Sequence, residues 1–190
     1  VGRAALRRQF EVNVFGMQQL TAELVGAMRR RGNGRIVNIS SLYGLLSAPM
    51  VGCYCASKFA MEALSDALRM ELAGSGVAVS LIEPGAIVTS LRRNAAATME
   101  ETLNMQASRY GRAYAREAAR RKQQVKKPDF FTRTPDAVAS RIVHALESPR
   151  PRRRYRVTPT AHLAFILSRF CPAGWVDRLM VSQLRRSLGR

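Results

Sequence analysis

Tyr54 and Lys58 stand four residues apart in Tyr54-Cys55-Ala56-Ser57-Lys58, a spacing that on a helix stacks two side chains on one face, a turn apart. A phenol with a pKa of about 10 is a poor base at neutral pH, but a neighbouring ammonium favours the phenolate and lowers that value. Such a tyrosine can pass a proton to or from a substrate oxygen. Ser41, upstream of the pair, offers a hydroxyl for the same oxygen, and Ser40 beside it is an equally good one. Taken alone, the pair also reads as a surface Tyr-Lys contact and Ser41 as a turn serine. No metal is expected. The three cysteines, Cys53, Cys55 and Cys171, fit neither a redox pair nor a zinc knuckle, and His144 and His162 lie far from the first two.

The pattern around these residues says what must hold them. From about Ala4 to Arg30, Phe10, Val14, Met17, Leu20, Leu24 and Met28 recur at helical spacing, predicting one long helix ended by Gly32 and Gly34. Arg35 to Ser40 is a short β-branched run, predicting a buried strand that opens into a Ser/Gly loop. A hydroxyl at the C-terminal end of such a strand can face a ligand crevice. Tyr54 to Leu72 predicts a second helix, with Phe59, Leu64, Leu68 and Leu72 on one side, and Val77 to Ile82 a second strand closed by Pro84-Gly85. This alternation of helix and strand is the rhythm of a parallel α/β sheet. Farther on, Ala95 to Lys127 reads as one or two helices of a candidate lid. Thr134-Pro135-Asp136 reads as a helix start leading to Leu146, Arg154 to Val157 as a last strand, and Ala161 to Leu188 as two short helices.

In this order, four segments resemble the successive motifs of the short-chain dehydrogenase/reductase family: Asn13-Val14-Phe15-Gly16, Gly34 to Ser41, Tyr54 to Lys58, and Pro84-Gly85-Ala86-Ile87-Val88-Thr89. The resemblance is dense over about residues 8 to 92. It is looser beyond, where Ser148 to Tyr155 is similar to the C-terminal region of retinol- and hydroxysteroid-dehydrogenase-like members. It implies a doubly wound parallel-sheet (Rossmann) α/β domain and an NAD- or NADP-dependent oxidoreductase that interconverts an alcohol and a carbonyl by hydride transfer. Under it Tyr54 is the general acid/base and Ser41 hydrogen-bonds the substrate oxygen. Lys58 lowers the Tyr pKa and binds the nicotinamide ribose, and Asn13 holds a water that relays protons from Lys58 to solvent. Pro84, Gly85, Ile87 and Thr89 would lie along the cofactor, with the nicotinamide beside the Ile87 main chain and the Thr89 hydroxyl near the amide and phosphates.

The family's Gly-rich turn after its first strand, which binds pyrophosphate at a helix N-terminus, has no counterpart in these 190 residues, nor has its Asn-Asn-Ala-Gly segment. The expectation is therefore a single partial domain over 1–190, incomplete at its N-terminus and weak in dinucleotide binding by itself. Within it, 1–92 is the catalytic core, 93–134 the substrate lid and 135–190 a C-terminal helix/strand segment with a basic tail. The strand at Arg35 to Ser40 would then lack one neighbour and leave an open edge.

Charge bears on partners. Of the net +18, residues 1–90 hold +3 (nine Lys+Arg, six Asp+Glu) and residues 91–190 hold +15 (22 against seven). No nucleic-acid motif accompanies the basic residues, so no nucleic-acid partner is expected; the excess reads first as a solvated, Arg-rich surface without a partner, and otherwise as peripheral contact with an anionic membrane surface. No apolar run approaches the roughly 20 residues of a spanning helix, Val1 to Arg8 has no apolar signal-peptide core, and the cysteine usage suits a cytoplasmic setting. The expected substrate is a small alcohol or ketone, lipid-like in view of Met99, Leu103, Met105, Phe130 and Phe131, and the full-length chain is expected to form a homo-oligomer. Two other readings stand beside the enzyme: an inactive fragment or pseudoenzyme that serves as an interaction surface, and a basic membrane-surface or nucleic-acid binder resting on Arg150 to Arg156 and Ala161 to Arg169.

Overall fold

A computed structural model describes residues 2–89, 110–124 and 131–188. It opens with helix α1 (Arg3–Phe10), a π turn (Glu11–Phe15) and helix α2 (Gly16–Arg30), which follow one another without leaving helical backbone. The single helix expected from Ala4 to Arg30 is therefore interrupted by a π turn, where the Gly16 amide reaches back five residues to the Glu11 carbonyl. Apolar periodicity does not register such an insertion, and π turns concentrate at functional positions. Asn13 is its middle residue.

Strand β1 (Gly34–Ile39) leads through a 3-10 turn (Leu42–Gly44) to helix α3 (Gly52–Glu71), then strand β2 (Val77–Glu83). Helices α4 (Gly111–Gln124) and α5 (Pro135–Glu147), strand β3 (Arg154–Arg156), and helices α6 (Pro159–Phe170) and α7 (Ala173–Leu188) complete the described elements. The two tail helices agree with the sequence expectation. Parts of the expected lid, including Met99, Leu103, Met105 and Phe130, lie outside the described residues, which here include α4 and the half-exposed Phe131.

The sheet order is β1-β2-β3, all parallel. On one face, Leu72, Val77 and Val79 pack with Val25, Met28, Ile36 and Leu68, residues of α2, β1, β2 and the end of α3. On the other, Ile82 and Tyr155 pack with Val37, Val157 and the α5 residues Val138, Ile142 and Ala145. Helices on both faces of a parallel sheet make a doubly wound domain. Among the described residues β1 pairs only with β2, so it is an edge strand, as expected.

The turns ending α2 and α3 meet. Gly32 (φ 64°) and Gly76 (φ 77°) both adopt left-handed backbone, and a Cβ on Gly76 would collide with the Gly32 carbonyl. Glycine is needed at 76 for both reasons.

The apolar stripes are corrected in two places. On α2 the packed side chains are Thr21, Val25 and Met28, leaving Leu20 and Leu24 exposed. On α3 the buried side is Cys55, Ser57, Lys58, Met61, Glu62 and Ser65, with Phe59 exposed. That side is polar because this part of α3 packs against strand ends and the π turn, where backbone groups and side chains offer hydrogen bonds. The buried Asn38 amide, for example, donates to Ser65 Oγ at 2.8 Å.

Candidate active site

The loops after β1 and β2 are laced together. Past the end of β1, the Ser40 amide donates to the Ile82 carbonyl and the Leu42 amide to the Pro84 carbonyl, both at 2.8 Å. Ser41 is thereby held beside the Pro84-Gly85 turn at the C-terminal edge of the sheet. Its side chain is buried and accepts a hydrogen bond from the Tyr43 amide at 3.2 Å. A hydroxyl that accepts one bond keeps its own proton for donation.

Tyr54 lies in the first turn of α3, half-buried, with the Tyr43 ring edge-on at 6.1 Å between centroids. Lys58, one turn on, is buried and places its amine 5.7 Å from the Tyr54 ring centroid. The same amine donates to the Ile39 carbonyl at 2.7 Å, which ties α3 to the end of β1. Burial lowers the lysine pKa from 10.5 to about 8, against the attraction of Glu62. The amine is therefore a cation at neutral pH that lies close to losing its proton.

Asn13 reaches the same place from the π turn. Its amide donates to Ser57 Oγ at 3.0 Å, and Ser57 donates to the Tyr54 carbonyl at 2.8 Å. Asn13, Tyr54 and Lys58 thus share one corner of the molecule, and Ser41 joins them through Tyr43 and the backbone of β1. Sequence reasoning assigned no role to Ser57, the link between Asn13 and α3, nor to Tyr43, and neither has a spacing signal that would single it out.

The turn after β2 is held from two sides. The Arg133 amide donates to the Ala86 carbonyl at 3.0 Å, and the Val88 amide to the Arg133 carbonyl at 2.9 Å, a bridge centred on Ile87. Along extended backbone these groups alternate in direction, so the amide and carbonyl of Ile87 point away from Arg133. A Cβ on Gly85 would strike the Thr158 and Thr160 hydroxyls. The glycine is thus required by the start of α6, which sequence reasoning had not considered. Thr89, half-buried, is the last described residue of this segment.

The chemistry of this donor set suits one end of a nicotinamide dinucleotide. An ammonium, two hydroxyls and a main-chain segment whose Ile87 groups are not used by Arg133 stand at strand C-termini, where open α/β sheets bind such ligands. A pyrophosphate-binding glycine turn is not in the sequence, so the residues present fit the nicotinamide and its ribose rather than the whole molecule.

A doubly wound parallel domain with a Tyr-Lys pair at its strand ends belongs to the class of dinucleotide-fold proteins. Residues 2–100 match the family model described as short chain dehydrogenase, and the chain belongs to that family. An uncharacterized oxidoreductase of Escherichia coli K12, YbbO, is 39% identical over 183 residues, covering 95% of this chain and 60% of that protein. Mouse retinol dehydrogenase 16 is 32% identical over 176 residues, covering 90% of this chain and 54% of its own, in keeping with the expected likeness to retinol-dehydrogenase-like members. The crystal structure of a short-chain dehydrogenase from Streptomyces avermitilis superposes with a TM-score of 0.65 at 28% identity, over 100% of this chain and 63% of that one. The chain thus spans about 60% of the length of its relatives.

Proposed function

We propose that this chain is the catalytic part of an NAD- or NADP-dependent oxidoreductase that interconverts an alcohol and a carbonyl compound. The observation that carries the reading is the buried Lys58 amine set 5.7 Å from the Tyr54 ring, at the C-terminal edge of a parallel sheet. The dinucleotide, when bound, would supply or accept the hydride. Lys58, Tyr54 and the Pro84, Gly85, Ile87 and Thr89 segment would hold its nicotinamide end.

The chain's own groups handle the proton. Tyr54 gives its phenolic proton to the substrate oxygen in reduction and takes it back in oxidation. Lys58, cationic below about pH 8, stabilises the phenolate left behind. The Ser41 hydroxyl positions the substrate oxygen, and Asn13, anchored on Ser57, holds the water through which Lys58 exchanges protons with solvent. Residues 93–134 would cover the substrate. A lipid-like alcohol or ketone is the substrate class proposed, supported by the likeness to a retinol dehydrogenase.

The exposed apolar side chains of α1, the π turn and α2, Leu6, Val12, Phe15, Leu20 and Leu24, are proposed to pack against a second copy. A second surface favours peripheral membrane contact. Phe170 (74% exposed) and Trp175 (68%) stand beside Arg169 and Arg178 on α6 and α7, and no helix among the described residues is long and apolar enough to cross a membrane. Binding to anionic vesicles that vanishes with added salt tests that contact.

The deciding experiment is Tyr54→Phe in the full-length protein. Turnover, followed by reduced-nicotinamide absorbance, is expected to fall by about 10²-fold or more, with dinucleotide affinity changed only a few-fold. Retained turnover would remove Tyr54 from the chemistry.

A further inference from the structure

Beneath the Tyr-Lys pair lies a buried ion cluster. Arg154 of β3 grips Glu62 of α3, donates to Glu83 Oε1 at the end of β2 at 2.6 Å, and reaches Asp66 Oδ2 of α3 at 2.6 Å. Glu83 is fully buried and Glu62 nearly so. Arg156 Nε lies 3.2 Å from the second Glu83 oxygen, Oε2, and the Ser40 hydroxyl lies beside Glu62 next to Gly44.

The placement of this cluster is informative. Glu62 is one helical turn beyond Lys58, as Lys58 is beyond Tyr54, so three ionisable groups run along one side of α3. Glu83 immediately precedes Pro84, where the segment assigned to the cofactor begins. The forked guanidinium of Arg154 thus joins the helix carrying the proton-transfer pair to the strand carrying that segment. Arginine's planar set of donors can bind several carboxylates at once, which a lysine cannot imitate. Two buried carboxylates on adjacent elements repel unless a cation sits between them, so the arrangement depends on Arg154 remaining in place.

We propose that Arg154 is a positioning residue for Lys58: by gripping Glu62 and Glu83 together, it locks α3 onto the ends of β2 and β3 and thereby sets the place and charge of the amine. The proposal rests on the reading of Tyr54 and Lys58 given above. Among the described residues, the ionisable groups on the elements around the amine include Tyr54, Cys55, Glu62 and Asp66 on α3, Tyr43 in the 3-10 turn, Glu83 on β2, and Arg154 and Arg156 on β3, while Arg3, Arg7 and Arg8 of α1 are exposed. Glu11 of the π turn is exposed. Burial, reinforced by repulsion from Glu83, pushes the Glu62 carboxyl upward, while Ser40 and Arg154 favour its ionised form. Glu62 in turn favours the charged form of Lys58.

The test reads the lysine itself, without ligand. The chain has four lysines, so an NMR titration with isotope-labelled lysine isolates Lys58 as the signal missing from Lys58→Met. The unaltered protein is expected to titrate at about 8. Arg154→Lys keeps a positive charge but cannot bridge the carboxylates. Loosening α3 then returns water to the amine, and its midpoint should rise by about one pH unit. Glu62→Gln keeps the shape and removes the attraction, so its midpoint should fall by about one pH unit. If the cluster served stability alone, both variants would melt earlier while their Lys58 midpoints stayed at the wild-type value. That result, an Arg154→Lys midpoint that stays at the wild-type value while that of Glu62→Gln falls, or a shift in the wrong direction in either variant, overturns the proposal. Should Arg154→Lys not fold, Glu83→Gln, which loosens the Arg154 grip from the strand side and leaves Glu62 in place, decides in its stead: its Lys58 midpoint should rise, and an unchanged midpoint overturns the proposal. Tyr54→Phe turnover tests the underlying reading separately, because it involves none of the cluster residues.

Discussion

Replacing Lys58 by Met should make the fold more stable at pH 7 while abolishing turnover. Burial drives the lysine from 10.5 to about 8, and at about 1.4 kcal/mol per pH unit that drop means the folded state holds the cation at a cost of about 3 kcal/mol. The sign follows from proton binding. Below pH 8 the amine is protonated in both states and the whole cost is present. Between 8 and 10.5 the unfolded chain binds the extra proton, so the folded state gains relative stability as pH rises, and above 10.5 the cost is gone.

Methionine has similar length and no charge. Its replacement of Lys58 also removes the bond to the Ile39 carbonyl, a loss of about 1–2 kcal/mol. The net expectation is a gain of about 1–2 kcal/mol at pH 7 that disappears by about pH 10. Urea denaturation at the two pH values, followed by circular dichroism, measures it. A wild-type protein more stable than Lys58→Met at pH 7, or a difference that does not change with pH, would refute the reasoning. The result would identify Lys58 as a residue kept for chemistry at the expense of stability.

Two further outcomes follow from the packing. Asn38→Ala strips the buried Ser65 hydroxyl of its donor and should lower stability by about 1–3 kcal/mol in the same denaturation assay. Gly76→Ala forces a side chain into left-handed backbone and against the Gly32 carbonyl, with an expected loss of about 2 kcal/mol or more, whereas Gly2→Ala, at an exposed position with open space around it, should be nearly neutral.

Much of the architecture was legible because it depends on short-range order. The β-branched run at Arg35 to Ser40 and the apolar run at Val77 to Ile82 correspond to β1 and β2 within a residue or so, and α5 starts at Thr134-Pro135 as expected, although the Thr134 side chain makes no capping hydrogen bond. The neighbourhood of Tyr54 and Lys58 was legible too, since four residues on a helix are one turn whatever else the chain does. The exposed Leu20, Leu24 and Phe59 were not, because periodicity gives the direction of a side chain around a helix but not which arc a neighbour will cover.

By itself the sequence determined which residues could exchange a proton, the parallel α/β character of the fold and the family, all of which rest on spacings of a few residues and on motif order. The tertiary structure alone decided that a π turn carries Asn13 to Ser57, that the loops of Ser41 and Pro84 are laced together, and that Arg154 meets a carboxylate 92 residues away. The reason is physical. Local conformation is set by neighbours along the chain, whereas the pairing of buried charges is set by which surfaces meet when water is expelled.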